Sequence, residues 1–585
     1  MITHPHFGPW DYVILSIVLL ISASIGVYYR LTGGKQKTMQ EYLLADKNMP
    51  IGPVAFSLMA SFMSAITLLG VSSENYTYGL QFIVINISYV LATPIAAYLF
   101  LPVFFKLQAT SAYEYLERRF GKTSRLAASL SYTLQMTLYM GVVLYAPSLA
   151  LEALTGISQL AAILSVGLVC TFYSTIGGMK AVLMTDVFQS ILMFIAVFSV
   201  IICAVVEKGS FAEVWRIASE GNRTNLLNFD PDPTVRHTWF TLIIGGAVTY
   251  LSLYAVNQTQ VQRYLTVKDL KAAQKALWWN WPILTLLSLS TSFSGLAIYS
   301  RFYKCDPYDA GYITSFDQLM PYYVVDTMGH IPGLSGLFVA GIFSASLSTV
   351  SAAVNSLAAI TIEDYLKPLY RAVFKTHLPE SRESMITKIT SLAYGFVCLA
   401  VAFMAKYLGN VLQASLTIFG VIGGPLLGLF SLGMFTTTAN EEGAVFGLTT
   451  GIVLSLWMAF GKHPPPDTLP RTTQGCDILN RAYSNHSTHL HSEDQSDYFW
   501  LYRVSYLYNG VLGLVSTVLV GYIASILIDK CLRRQKRIYD PNLFVPPLEK
   551  WMRKKLLEKQ GNLNMTESSG SSDDLKNGLR TIRQY

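Results

Sequence analysis

The chain has 585 residues, of which 52% are hydrophobic and 14% are charged, whereas an ordinary soluble domain has about 25% charged residues. The formal net charge is +7, but the Lys and Arg residues lie in short connections between apolar segments, which argues against a nucleic-acid-binding surface. The composition therefore excludes an ordinary soluble domain and indicates a protein that lies in a lipid bilayer.

Apolar segments as long as a bilayer-crossing helix recur along the whole chain. The first, Asp11 to Tyr29, has no Lys or Arg before it, and Arg30, Lys35 and Lys37 follow it. This is the reverse of a secretory signal, so we expect a retained span with its N-terminus outside. We predict an all-α, polytopic membrane protein with about 13 transmembrane helices, which begin near Asp11, Ile51, Gln81, Leu126, Leu160, Asp186, Thr238, Trp278, Leu337, Ser391, Gln413, Ala444 and Tyr506.

Positive charges and glycosylation sequons predict the same direction for these spans. Basic residues cluster in the third and seventh connections and after the last span, which are cytosolic if the N-terminus is outside. The sequons at Asn222 and Asn485 lie in the sixth and twelfth connections, on the outside. The C-terminus is then inside, in a largely disordered cytosolic tail at residues 529–585. The sequence names no cytosolic partner for that tail.

Two of the six cysteines, Cys305 and Cys476, fall in long external connections. The others lie in spans or at the cytosolic edge. An oxidising exterior permits a disulfide between the two external cysteines. The sequence leaves open whether they pair or remain free thiols.

Polar residues interrupt several of the predicted spans. The second span carries small and hydroxyl-bearing residues over Ser57–Gly70. It either unwinds and frees backbone carbonyls, or uses its small side chains for close helix packing, and the sequence favours neither. In the sixth span, Asp186 and Gln189 share one helical face, which suits support of an ion site. Spacing alone favours a simpler role for Asp186, as an acid at a helix start beside Thr185.

The seventh and ninth spans are the most polar. The segment Asn257–Arg263 is too polar to face lipid and must line a cavity or the protein interior. The ninth span has more small polar side chains between Gly341 and Ser356 than helix packing requires. Sodium favours several oxygen ligands, and neutral hydroxyls and carbonyls replace its water without trapping it. Adjacent Ser348 and Thr349 suit that role.

Six motifs follow one another along the chain: Ala60-Ser-Phe-Met-Ser-Ala, Ser73-Glu74, Thr185-Asp-Val-Phe-Gln, Asn257-Gln-Thr-Gln-Val-Gln-Arg-Tyr, Ser346-Leu-Ser-Thr and Gly420-Val-Ile-Gly-Gly-Pro-Leu-Leu-Gly. In type and order they resemble the motifs of the sodium:solute symporter family, which includes sodium/glucose, iodide, multivitamin and monocarboxylate cotransporters. The resemblance runs from about Trp10 to Asp540 and is greatest to the monocarboxylate, multivitamin and iodide branch.

This resemblance implies a LeuT-like core of two inverted repeats of five helices, each led by an interrupted helix. The repeats would occupy residues 51–206 and 238–435, joined by an external loop at 207–237. Residues 1–50 would form the external N-terminus, the first span and a cytosolic loop. Residues 436–528 would form two further spans with a glycosylated external loop between them.

Carried over position by position, the resemblance implies a main sodium site between the second and ninth spans. Its ligands would be the carbonyls of Ala60, Met63 and Ala345 and the hydroxyls of Ser348 and Thr349. The resemblance places Asp186 and Gln189 nearby, which reverses the helix-start reading. Sodium is then the co-transported ion.

The resemblance also bears on the solute. Sugar carriers have Asn and His where Phe62 and Thr67 stand, so a hexose would lose polar partners. Iodide carriers have Gln in place of Thr67. These differences favour a small organic anion, either a monocarboxylate or a vitamin carboxylate, with helix termini supplying positive potential. The residues expected around it are Phe62, Thr67, Gln81, Gln258 and Gln413.

The expected function is sodium-coupled import by alternating access, in a multi-pass protein of the plasma membrane. One alternative is a symporter of the same family for iodide, another anion, a sugar or a polyol. Another is a transport-inactive sensor with the same fold, although the hydroxyls of the ninth span argue against it. The cytosolic segments contain no metal-ligand spacing, nucleophile elbow or phosphate loop, so we do not expect an enzyme.

Overall fold

The computed structural model describes residues 7–32, 44–108, 110–176, 178–405, 407, 409–476, 498–532 and 539–567. Within these ranges every regular element is a helix, which confirms the predicted all-α class. The predictions made at Asn485, at the lysines after the first span and in the tail beyond residue 567 lie outside the described residues. Within the tail that was predicted to be largely disordered, Pro546–Glu567 forms a helix, so this part of the prediction is wrong.

The helices are joined by connections of very different length. In chain order they are α1 (Pro9–Thr32), α2 (Ile51–Phe62), α3 (Thr67–Tyr78), α4 (Leu80–Leu107), α5 (Glu114–Arg119), α6 (Lys122–Thr155), α7 (Gln159–Ile176), α8 (Met179–Lys208), α9 (Phe211–Glu220), α10 (Thr241–Tyr254), α11 (Gln258–Tyr264), α12 (Leu270–Phe302), α13 (Leu319–Met328), α14 (Leu334–Phe374), α15 (Glu380–Ala405), α16 (Val411–Phe435), α17 (Glu441–Ala459), α18 (Tyr506–Cys531) and α19 (Pro546–Glu567). Short helical turns also occur at Ala45–Lys47, Phe316–Gln318, Trp500–Arg503 and Pro541–Leu543.

Of the helices in the described ranges, 10 are long and apolar enough to cross a bilayer. The pair α2 and α3 passes the same test as one span bent by 63°. Shorter apolar helices occur at Gln159–Val169, within α7, and at Thr241–Tyr254, which is α10. Each predicted span therefore corresponds to an apolar helix, while the number of segments that cross the bilayer stays a prediction.

Large apolar side chains lie on the outer surfaces of these helices. Val206 in α8 is 74% exposed, and Leu168, Leu519 and Ile523 are exposed as well. A monomeric protein in water rarely exposes so many large apolar side chains, whereas helices that face lipid do. The outer surface is thus suited to a hydrocarbon environment.

Connections that were predicted to be external meet at one end of the helices. The N–H of Leu469, after α17, donates to the carbonyl of Thr77 at the end of α3 (3.0 Å). Cys305 and Cys476 form a disulfide at the same end, which confirms that pairing.

Connections that were predicted to be cytosolic meet at the other end. Buried Arg119, in α5, donates hydrogen bonds to three backbone carbonyls between Gly433 and Ala439, where α16 ends. The Tyr115 hydroxyl donates to the carbonyl of Leu543, in the segment that follows α18 (3.1 Å). The structure therefore separates the connections into the two predicted groups. The assignment of this end to the cytosol rests on the charge pattern.

Two helical interruptions position the candidate site. Met63, between α2 and α3, has a ψ of 97°, outside the helical range, so the second span unwinds. Three residues separate α10 from α11, and the side chain of the last, Asn257, caps α11 by accepting from the N–H of Thr259 (2.9 Å). The polar residues of Asn257–Arg263 are buried, as predicted for a segment that cannot face lipid. Each proposed repeat therefore opens with an interrupted helix.

Candidate ion and solute site

Asp186 lies in the protein interior and not at a helix start. Helix α8 begins at Met179, about two turns earlier, so the interpretation of Asp186 as a helix-starting acid is wrong. The Ser348 hydroxyl donates to Asp186 Oδ1 (2.6 Å), and the Ser57 hydroxyl donates to Oδ2. The guanidinium of Arg263 lies 3.4 Å from Oδ2.

The ion pair of Asp186 and Arg263 connects four helices. Both side chains are fully buried, and Arg263 Nε also donates to the Ser57 hydroxyl (2.7 Å). With Ser348, this network joins α2, α8, α11 and α14. Removing one partner of such a buried pair costs about 3–5 kcal/mol, because the other charge is left uncompensated. The network is therefore a rigid support behind the interruption in α2.

The predicted sodium ligands of α2 and α14 lie together at this interruption. The Thr349 hydroxyl donates to the Ala345 carbonyl (3.0 Å) and lies 3.4 Å from the Ala60 carbonyl. Two oxygens that each lie about 2.4 Å from a hard cation, at right angles to each other, are about 3.4 Å apart. The spacing of these three oxygens therefore suits a cation of that size.

Backbone and hydroxyl lone pairs are available at the same place. The last carbonyls of a helix have no intrahelical donor, and Ala60 belongs to the last turn of α2. Met63 follows that turn and leaves the helix. Ser348 directs its hydroxyl proton to Asp186, and a hydroxyl oxygen that donates its proton keeps two lone pairs for another partner. Asp186 can thus orient Ser348 without being a ligand itself.

Gln189 lies one turn after Asp186 on α8 and is fully buried. Among the described residues, neither its Oε1 nor its Nε2 has a hydrogen-bond partner. An unpaired buried polar group costs about 1–3 kcal/mol. This amide therefore suits a water molecule or an ion placed beside Asp186.

A small cavity of about 40 Å³ adjoins the interruption. Phe62 and Thr67 line it, together with Met63 and Ser64 from the unwound segment. The volume corresponds to roughly three water molecules. The remaining wall is mainly apolar and aromatic and includes Ile66, Val71, Phe82, Ile85, Tyr89, Tyr139, Ser288, Leu412, Ser415, Leu416 and Phe419.

Several of these wall residues were not predicted from the sequence. Tyr89, Tyr139, Ser288 and Phe419 come from α4, α6, α12 and α16, and each resembles its neighbours in an apolar span. The second span carried a signal because its hydroxyls are closely spaced. Helices α6 and α12 contribute one wall residue each, while α4 contributes three and α16 four. The wall residues of α4 and α16 recur at helical spacing, which any packed helix face shows and which therefore does not mark a solute site.

The three predicted glutamines lie elsewhere. Gln258 accepts from the N–H of Ala112 (2.7 Å) and donates to the carbonyl of Thr110 (2.8 Å), so its amide is occupied at the other end of the protein from the external connections. Gln81 and Gln413 line a second and larger cavity of about 640 Å³, at the end predicted to be external. The structure therefore brings Phe62 and Thr67 together, but not these glutamines.

A charged cluster lies at the wall of the larger cavity. Arg236 Nε donates to Glu74 of α3 (2.8 Å), and His237 Nε2 lies 3.2 Å from the same carboxylate. Burial by itself would lower the pKa of Arg236, but the Glu74 carboxylate more than offsets this and raises that pKa. Burial lowers the pKa of His237, so its imidazole is neutral near pH 7. Arg236 thus remains charged within a nearly buried cluster.

Comparison with known proteins extends these observations. A family model described as the sodium:solute symporter family matches residues 42–451. The chain is 55% identical over 561 residues to a putative sodium-dependent multivitamin transporter of Drosophila melanogaster, covering 94% of this chain and 93% of that protein. It is 44% identical over 543 residues to sodium-coupled monocarboxylate transporter 1 of Xenopus laevis, covering 89% and 86%.

The fold resembles that of a Na+-coupled sialic acid symporter in a substrate-bound, outward-open state. The TM-score is 0.74 with 24% identity, over 89% of this chain and 98% of that chain. This likeness confirms the predicted LeuT-like class. Together with the family match, it shows that this multi-pass membrane protein, with sodium as its co-transported ion, belongs to the sodium:solute symporter family.

Proposed function

We propose that this chain is a plasma-membrane symporter that uses the sodium gradient to import a small organic carboxylate. The observation that supports this most directly is the unwound segment between α2 and α3. Its start supplies the Ala60 carbonyl 3.4 Å from the Thr349 hydroxyl, and Phe62, Met63 and Thr67 line the small cavity. Sodium bound between Ala60 and Thr349 would fix the unwound segment, and that segment forms part of the wall of the small cavity. Ion and solute would then favour the same conformation, which is what coupling requires.

The sodium ligands in this proposal are the carbonyls of Ala60, Met63 and Ala345 with the hydroxyls of Ser348 and Thr349. Asp186 and Gln189 support them from α8. All five ligand groups are uncharged, so one sodium ion keeps its full charge at the site. A conformational change that moves α14 relative to α2 would separate the ligands and release the ion, as alternating access requires.

The small cavity suits a carboxylate with a short apolar body. Thr67 begins α3, whose N-terminus carries partial positive charge. The first N–H groups of α3 are satisfied by Ser64, which accepts from Ile66 at its hydroxyl (3.2 Å) and from Thr67 at its carbonyl (3.0 Å). A bound carboxylate would replace Ser64 as the acceptor for some of these N–H groups. It would also accept from the hydroxyls of Thr67 and Tyr139, while the aromatic rings contact its apolar part.

The named activities of the relatives agree with this chemistry. One is named as a monocarboxylate transporter and another as a putative multivitamin transporter, and both names indicate transport and not enzymatic catalysis. We do not retain Gln258 as a solute residue, because both ends of its amide are bonded to the backbone. We retain Asn222 and Asn485 as proposed glycosylation sites, and Asn222 is exposed in the connection after α9.

The test is uptake into cells that express the chain, with sodium or with choline as the external cation. The solutes are radiolabelled lactate, pyruvate, butyrate, nicotinate, biotin, pantothenate, iodide and glucose. We expect sodium-dependent uptake of at least one carboxylate and no uptake of glucose, because the cavity lacks the polar partners that a hexose needs. Normal amounts of protein at the cell surface without sodium-dependent uptake of any carboxylate would contradict the proposal.

A further inference from the structure

The larger, outer cavity contains polar groups that the proposed transport site does not use. Gln81, Arg236, Gln413 and Asn509 line it. Gln81 is only 5% exposed, and within the described part of the chain neither its Oε1 nor its Nε2 has a hydrogen-bond partner. The Oδ1 of Asn509 likewise has none there. Since an unpaired buried amide costs about 1–3 kcal/mol, these groups are available to water or to a polar ligand that enters the cavity.

Arg236 is held in a fixed orientation at the wall of this cavity. Its guanidinium lies over the rings of Tyr78 (4.2 Å) and Tyr506 (4.7 Å). Its Nε donates to Glu74 (2.8 Å) and its Nη1 donates to Gln413 Oε1 (3.3 Å), while Nη2 lies 2.7 Å from Glu74.

These contacts do not use all the donors of Arg236. A guanidinium has five N–H donors, so two remain for a second acceptor. The side chain is 17% exposed, which leaves part of the guanidinium open to the cavity that it lines. A planar carboxylate is the acceptor that matches two guanidinium N–H groups.

The polar wall of the outer cavity adjoins the wall of the small cavity, which is the inner cavity of the two. Gln81 is followed by Phe82, and Gln413 is preceded by Leu412, and both of these apolar neighbours line the small cavity. The ring of His237 contacts Phe82, with centroids 5.4 Å apart. A solute held at Arg236 is therefore separated from the proposed transport site by about one layer of side chains.

We propose that Arg236, Gln81 and Gln413 form an outer site that binds the carboxylate of the incoming solute before it enters the inner cavity. The proposal rests on the proposed function and adds the point of entry. The carboxylate accepts hydrogen bonds from Arg236 and from the Nε2 of Gln81. None of the proposed sodium ligands lines the outer cavity, so binding there does not require sodium.

Binding at this site also bears on the barrier between the cavities. Glu74 belongs to α3, whereas Arg236 precedes α10, and their ion pair ties the leading helices of the two proposed repeats together. A second carboxylate on the two remaining donors of Arg236 shares its positive charge with Glu74 and so weakens that connection. The solute thereby favours the opening through which it enters.

The test measures protection of a cysteine placed in the outer cavity. Val235, next to Arg236, lines the cavity. Cells expressing Val235→Cys are treated with a membrane-impermeant maleimide in choline medium without sodium, with butyrate or biotin as the probe. At a probe concentration twice the dissociation constant, labelling slows about threefold, because two thirds of the sites are occupied.

Two variants identify the site, and a third serves as control. Protection is lost when Val235→Cys is combined with Gln81→Leu or with Arg236→Lys, which keeps the charge next to Glu74 but not the planar pair of donors. Asn225→Leu, at the rim of the same cavity, keeps the protection. Surface biotinylation verifies that each variant reaches the plasma membrane.

The outcomes separate this proposal from the proposed function. Sodium-dependent uptake without sodium-free protection overturns the outer site and leaves the proposed function intact. Protection without uptake of any solute supports the outer site and contradicts the proposed function. Protection that persists in both Gln81→Leu and Arg236→Lys places the carboxylate elsewhere and overturns the assignment.

Discussion

At the scale of single residues, Thr349 is the point where α14 meets the unwound end of α2. Its hydroxyl contacts both the Ala345 carbonyl and the Ala60 carbonyl. We expect Thr349→Ala to raise the sodium concentration for half-maximal uptake about tenfold, which corresponds to about 1.4 kcal/mol for one lost ligand. Thr349→Ser should retain most of the wild-type sodium dependence, because it keeps the hydroxyl.

Ser351→Ala is the matched control for this prediction. Ser351 lies on the same helix, is also buried, and donates only to the Ser348 carbonyl (3.1 Å). Sodium activation of carboxylate uptake, normalised to protein at the cell surface, is the measurement. Wild-type sodium activation in Thr349→Ala would remove Thr349 from the proposed ligands.

Residue types were easier to predict than residue partners. The density of hydroxyls in the ninth span indicated an ion site, since packing alone does not require so many. The partner of Asp186, by contrast, is Arg263, 77 residues away in sequence, and no local pattern relates the two. The spacing argument for Asp186 therefore pointed to a helix start, and only the family resemblance pointed to the interior.

At the scale of helices, the packing of α3 against α16 depends on Gly70. A Cβ at Gly70 would lie 2.7 Å from the Cβ of Leu412, and Leu412 lines the small cavity. We expect Gly70→Ala to push α3 away from α16 at a cost of about 1–3 kcal/mol, and so to lower the maximal rate of sodium-dependent uptake.

Gly52→Ala gives a control on the same interrupted span. Apart from its two neighbours in the chain, a Cβ at Gly52 meets nothing within 4 Å, so this change does not alter the packing of α2 against other helices. Uptake rate and thermal stability are compared for both variants. Equal uptake by the two would show that the close contact of α3 with α16 is not needed for transport.

The helices were predictable because lipid imposes their length and composition, and each predicted span overlaps an apolar helix. Their boundaries were less so. Helix α8 begins at Met179, but the predicted start fell at Asp186, where polar Thr185 and Asp186 resembled a helix N-terminus. The interruption in α2 was one of two open readings, because Ser, Ala and Gly serve both unwinding and packing.

At the scale of the whole molecule, the two groups of connections follow from alternation of the spans, so charge and sequons sufficed to predict which connections lie together. The positions of the cavities could not be predicted from this alternation. Each is lined by residues from several helices that are distant in sequence, and Gln81 and Gln413 were expected beside Thr67 because only their chemistry, not their depth, is visible in the sequence.

The disulfide between Cys305 and Cys476 links two connections that are 171 residues apart in sequence. Around it, the N–H of Asp306 donates to the carbonyl of Thr472 (2.9 Å), and the same connection supplies Leu469 to the rim of the outer cavity. In a soluble chain, a crosslink closing so long a loop contributes about 5 kcal/mol through chain entropy. Here the intervening spans hold both ends at one membrane surface even when the fold is lost, so the contribution is smaller, about 2 kcal/mol.

We therefore expect Cys305→Ser, Cys476→Ser and the double variant to lower the thermal unfolding temperature of the purified protein by the same amount, because each removes the same single crosslink. Cys203→Ser, which changes a free cysteine in α8, should leave that temperature unchanged. The comparison is made by thermal unfolding in detergent, monitored by size-exclusion chromatography. A double variant whose loss equals the sum of the two single losses would mean that the cysteines act separately, since removal of one crosslink cannot be counted twice.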